Sequence, residues 1–85
     1  MEQWLNKNIV IDVEAMFVDV GRLESYCDKW IVLHEADAHD LRDSNTTRER
    51  YVLDTKTDGI RANRKRVLVS RAQIVSVSLL DDVLI

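Results

Sequence analysis

The stretch HEADAHD, from His34 to Asp40, brings two histidines and three carboxylates within seven residues. Those side chains can bind metals. Their spacing argues otherwise: H-x4-H matches neither the helical pair of a zinc protease nor a zinc finger. On a regular strand, His34 and His39 face opposite sides. No metal ligand set is expected there. Cys27 is the only cysteine. It has no histidine partner in its neighbourhood, no Gly-rich phosphate loop is present, and no paired acids stand out. The chain therefore reads as non-catalytic and without a cofactor. A lone cysteine forms no disulfide within the chain, which fits a reducing cytoplasm, the host's cytoplasm for a viral source.

The densest basic cluster is Arg61, Arg64, Lys65 and Arg66. It lies in a chain of uneven charge. Residues 1–45 carry four basic and ten acidic groups, whereas residues 46–85 carry eight basic and five acidic ones. Two uses of the cluster are open. On a flexible arm it would hold phosphates with salt-dependent, sequence-independent affinity. Alternatively it would pair across subunits with Glu35, Asp37, Asp40 and Asp43.

The elements that position these groups follow from apolar periodicity. The chain has 85 residues, of which 46% are hydrophobic. This suits one domain over 1–85 with a marginal core, a situation that favours oligomerisation. MEQWLNKN lacks a basic start and an apolar core, so no signal peptide is expected, and no apolar run is long enough to span a bilayer. Residues 2–7 suit a short helical turn with Trp4 and Leu5 on one side. Ile9, Ile11 and Val13 alternate as a half-buried strand does. Met16, Val18 and Val20 continue the alternation, and the phase slips at Gly21, because the next apolar residue is Leu23. A slip beside a glycine predicts a bulge or a bend in that strand. Trp30 to Leu33 form the next strand core.

Residues 37–66 are polar. Thr46 and Glu49 have the spacing of a capping box, so the segment is either a helix or a pair of extended arms. Asp58-Gly59 predicts a turn. Val67-Leu68-Val69 and the alternating Val75, Val77 and Leu79 predict two last strands joined by a tight connection over Ser70–Gln73. The tail DDVLI is acidic, then apolar, and either docks on a neighbour or frays. The sum is all-β with a short N-terminal helix: about five strands in a small barrel of the SH3-like or OB-like kind.

The pattern resembles the Sm/LSm family, including its bacterial Hfq branch. Ile11, Val13 and Val20 take the alternating apolar positions of the family's first motif. Gly21 and Leu23 match its Gly-x-Leu, Tyr26 sits at its loop aromatic, and Ile31, Leu33 and Ala36 match its Leu-x-Leu-x-x-Ala with one loop residue deleted. The second motif is similar to the run from Val69 to Val77. Trp4 to Val13 looks like the family's passage from helix into first strand. The chain departs from the motifs at Trp30, where the family's base-contacting Asn would stand, and at Ser70-Arg71, where its Arg-Gly pair would stand. It also departs at Ala15-Met16, in place of an Asp-Gly turn.

The resemblance implies a strongly bent, five-stranded antiparallel barrel with a long insertion before the last two strands, assembled as a homo-oligomeric ring. It implies binding of single-stranded RNA, or DNA, through two pore loops, in nucleic-acid processing or chaperoning. Those loops correspond to Tyr26–Trp30 and Ser70–Gln73. Tyr26 and Trp30 would stack on bases, Lys29 and Arg71 would supply charge, and Gln73 would read a base edge. Trp30 has a second reading as a core residue. The missing Asn and the acidic first half leave a structural or adaptor ring that binds protein as the alternative function.

Overall fold

The computed structural model describes residues 1–43 and 45–84. Five strands form one antiparallel sheet: β1 (Asn8–Val13), β2 (Phe17–Tyr26), β3 (Trp30–Asp40), β4 (Arg64–Ser70) and β5 (Ile74–Leu79). Their order is β4-β3-β2-β1-β5, so β4 and β5 are the two open edges. The helix α1 spans Arg48–Asp58, and 3-10 turns lie at Glu2–Trp4, Leu41–Asp43, Arg71–Gln73 and Leu80–Asp82.

The alternation in β1 directs Ile9, Ile11 and Val13 into an inner core with Leu23, Ile31, Leu33, Ala36 and Val69. Val10 points the other way, into an outer core with Val18, Val20, Leu41 and Leu80. Full burial of an Ile or Leu side chain contributes about 1.5–3 kcal/mol. β1 and the first half of β2 are thus buried on both faces. The outer core is closed by Tyr51 and Val52 of α1 together with Ile60 and Val83.

This division corrects the reading of the phase slip. Val20 serves the outer core and Leu23 the inner one, so β2 changes the face it buries without a bulge at Gly21. Pairing of β1 with β2 runs unbroken from Asn8↔Arg22 to Asp12↔Val18. One bulge lies opposite, in β3, where Val20 pairs Asp37 but Arg22 pairs His34, and β2 has its own register shift further on, between Leu23 and Ser25. Glu35 sits at the extra residue of β3 with φ 49°. Gly21 is required by close approach: a Cβ there would lie 2.8 Å from Ala36 Cβ and 3.0 Å from Ala36 Cα.

The segment read as an insertion over 37–66 is shorter as an irregular unit, because β3 runs on to Asp40 and β4 begins at Arg64. Of the two alternatives for it, the helix forms. Its cap is Thr47, one residue after the expected Thr46, and the Thr47 hydroxyl accepts from the Arg50 N–H at 3.2 Å. Gly59 closes the helix with φ 92°, at the predicted Asp58-Gly59 turn.

Long-range bonds fix α1 to the sheet. Arg48 donates to Asp12 Oδ1 and to the Phe17 carbonyl, both at 3.1 Å. Tyr51 stacks on His39 with ring centroids 4.0 Å apart and donates its hydroxyl to Asp37. Lys56 Nζ donates to the carbonyls of Asp81 and Val83. Val83 thereby joins the outer core while Leu84 is exposed; the end of the DDVLI tail, Ile85, lies outside the described residues. Among the described residues, no helix is long and apolar enough to cross a membrane.

Candidate functional site

Three connections are linked by hydrogen bonds through the β4–β5 turn. The β2–β3 hairpin turn is closed by Cys27 N–H donating to the Trp30 carbonyl at 2.9 Å. The β4–β5 turn docks against it: Arg71 N–H donates to the Lys29 carbonyl at 2.9 Å, and Arg71 Nη1 donates to the Cys27 carbonyl at 2.8 Å. The β1–β2 connection joins through Glu14 N–H, which donates to the Gln73 carbonyl at 2.9 Å. Tyr26, Lys29, Trp30, Arg71 and Gln73, distant in sequence, therefore stand together.

The exposure of this cluster shows that Trp30 is not a core residue. Trp30 begins β3 opposite Ser70, on the face away from Ile31 and the inner core, and is 42% exposed. Tyr26 is 38% exposed. Neither ring belongs to the two core clusters. Lys29, Arg71 and Gln73 are exposed too, and Lys29 has no ion-pair partner among the described residues. Asp28 supplies the one opposing charge within the turn.

The second group of expected residues does not join the cluster. Arg64, Lys65 and Arg66 lie at the start of β4, the opposite end of that strand from Ser70, and are not on a flexible arm. Arg66 forms a two-point bond to Glu24, Nε to Oε2 at 3.0 Å and Nη2 to Oε1 at 3.1 Å. That fork holds the Glu24 carboxyl below its usual range. Arg61 lines a shallow cleft with Asp37, Tyr51, Asp54, Thr55 and Asp58. Within the chain, no ion pair links Arg61, Arg64, Lys65 or Arg66 to Glu35, Asp37, Asp40 or Asp43 among the described residues. Asp40 pairs with Arg42 instead, whose guanidinium and backbone N–H bring its pKa down to about 2.

The two histidines are drawn apart in role. The β3 bulge restores their phase, so His34 (opposite Arg22) and His39 (opposite Val18) share the outer face. They are separated by roughly 15 Å of strand. His34 lies between Glu24 (3.6 Å) and Glu35 (3.3 Å), whereas His39 stacks under Tyr51. The ring of His39 thus supports α1. The Asp37–Tyr51 bond beside it was not legible in the sequence, because only the folded helix brings position 51 to β3. Burial, with the Asp37 charge, pushes the nearby Asp19 carboxyl up to about 6.

No protein-family model matches the chain, and no curated protein matches it. Among solved structures, the chain is similar to an Sm protein of Pyrococcus abyssii in complex with a uridine heptamer. The TM-score is 0.63 at 16% identity, over 92% of this chain and 89% of that one. The chain has an Sm-like fold: a strongly bent, five-stranded antiparallel sheet with a short N-terminal helical turn.

Proposed function

We propose that this protein is a non-catalytic, homo-oligomeric ring that binds single-stranded RNA, with the joined β2–β3 and β4–β5 turns as its base-contacting surface. The observation that carries the reading is the hydrogen-bonded union of those turns, which sets the exposed rings of Tyr26 and Trp30 beside Lys29, Arg71 and Gln73. Stacked bases contribute about 1–3 kcal/mol each, and cations track the backbone between them. The Sm protein of similar fold was solved with a uridine heptamer, which supports RNA as the ligand class.

Ring assembly is supported by the sheet itself. Strands β4 and β5 leave unpaired backbone at both edges, and such edges attract another chain. Joining one edge to the other is head-to-tail, and a suitable rotation closes a ring. Each copy then contributes one weak stacking site, and repetition multiplies them through effective concentration.

Fluorescence anisotropy with short U-rich and A-rich oligonucleotides tests the reading. Saturable binding at low salt is expected, weakened about tenfold or more by Trp30→Ala. Absence of saturable binding by the intact oligomer would overturn it. Affinity unchanged by Lys29→Ala and Arg71→Ala together would favour the adaptor ring that binds protein.

A further inference from the structure

Resting on the ring reading, we infer that the subunit seam is set in register by ion pairs between Arg64 and Lys65 of one copy and Asp81 and Asp82 of the next. Arg64 and Lys65 open the edge strand β4, and both are exposed. Among the described residues neither has an ion-pair partner within its own chain. Asp81 and Asp82 follow directly on the other edge strand, β5, in the 3-10 turn Leu80–Asp82. Their carboxylates are likewise exposed and lack an ion-pair partner among the described residues, while the Asp81 carbonyl is held in place by Lys56.

The charges choose the direction of the seam. If β5 of a second copy adds antiparallel to β4, the start of β4 meets the end of β5. Two cations then face two carboxylates. Parallel addition would set Arg64 and Lys65 beside Ile74 and Val75, away from Asp81 and Asp82. The antiparallel arrangement also lets the core-facing Val67 and Val69 continue the layer of Val77 and Leu79. Each edge further exposes an apolar side chain, Leu68 at 55% and Val75 at 67%, which a seam removes from water. Opposite charges across an interface set register and exclude wrong partners more than they add affinity. The basic cluster is thereby divided: Arg66 serves Glu24 within the chain, and Arg64 and Lys65 serve the neighbour.

Charge reversal tests the seam. Two double variants are compared with the native chain by light scattering over a concentration series: R64E with K65E, and D81K with D82K. Circular dichroism confirms the fold of each. The expected result is that each double variant dissociates at concentrations at least about tenfold higher than the native oligomer. Joining all four reversals in one chain restores assembly. Native assembly should also weaken between 0.05 and 0.5 M KCl as the pairs are screened. A native oligomer whose dissociation ignores both the reversals and the salt overturns the seam and leaves the ring standing. A native chain that stays monomeric at every concentration overturns the ring and the seam together.

Discussion

Arg71 joins the two turns of the site to each other: its guanidinium donates to the Cys27 carbonyl at 2.8 Å, and its backbone N–H donates to the Lys29 carbonyl at 2.9 Å. The guanidinium keeps further N–H groups for a phosphate. Arg71→Ala should therefore lower oligonucleotide affinity about tenfold and reduce the slope of log affinity against log salt by about 0.7 per occupied site. Titrations at several salt concentrations check both. An unchanged slope would remove Arg71 from the RNA surface.

Gly21 lies against Ala36, and the fit leaves no space for a methyl group. The Cβ of Gly21→Ala would stand 2.8 Å from Ala36 Cβ, so β2 or β3 must shift. Overpacking of this kind costs about 1–3 kcal/mol. Urea denaturation should show that loss. Adding Ala36→Gly should return part of it, because one of the two clashing carbons is gone.

The α1 helix carries one side-chain cap at its start. Removing it with Thr47→Ala should cost about 1 kcal/mol. Melting of the far-ultraviolet circular dichroism signal measures the change. Thr46→Ala, adjacent but not the cap, should leave stability within about 0.5 kcal/mol.

Asp19 gives stability a slope with pH. Its folded carboxyl titrates at about 6, above the usual carboxylate range, so the folded state binds the proton more tightly than the unfolded one. The stability it contributes is fully present below about pH 4 and is lost as pH rises through 6. The change is at most about 3 kcal/mol. Asp40 acts in the opposite sense and lower: its pKa of about 2 gives stability that is lost as pH falls from about 4 through 2. Native protein should thus be more stable at pH 5 than at pH 7, and Asp19→Asn should flatten that part of the profile. Denaturant midpoints at the two pH values decide it.

The legible parts of the fold were those written in local periodicity. Ile9, Ile11 and Val13 announced a strand, and Gly21 with Leu23 marked the place where β2 changes its buried face. The apolar Val10 beside them was a sign that β1 is covered on both sides, but alternation alone does not reveal what covers it. The cover is α1, whose polar surface RERYVLDTKTD has little apolar stripe to read. It is fixed by partners far away in sequence, Arg48 on Asp12 and Tyr51 on His39. The bulge at Glu35 was hidden for a similar reason, since it answers to the Gly21–Ala36 approach across two strands. In β5 the predicted row of Val75, Val77 and Leu79 is broken at its first member. The register shift opposite Asp12 and Val13 pairs Ile74 with Val13, packs it against the inner core and leaves Val75 exposed.

Tyr26, Lys29, Trp30, Arg71 and Gln73 stand out in the sequence, and they lie in or beside the hydrogen-bonded turns. Arg64, Lys65 and Arg66 stand out in the sequence too, but on the edge strand β4 they lie away from those turns. In the sequence, Asp81 and Asp82 are no more than the acidic start of the DDVLI tail. Their position beyond the open end of β5 becomes visible only once the strand order is known.

The most direct test of the account is the mass of the native protein in solution, measured by light scattering with and without a U-rich oligonucleotide. A ring that binds RNA predicts a discrete mass several times that of one chain, and a further increase equal to bound oligonucleotide at the same subunit number. A single-chain mass under both conditions would contradict it.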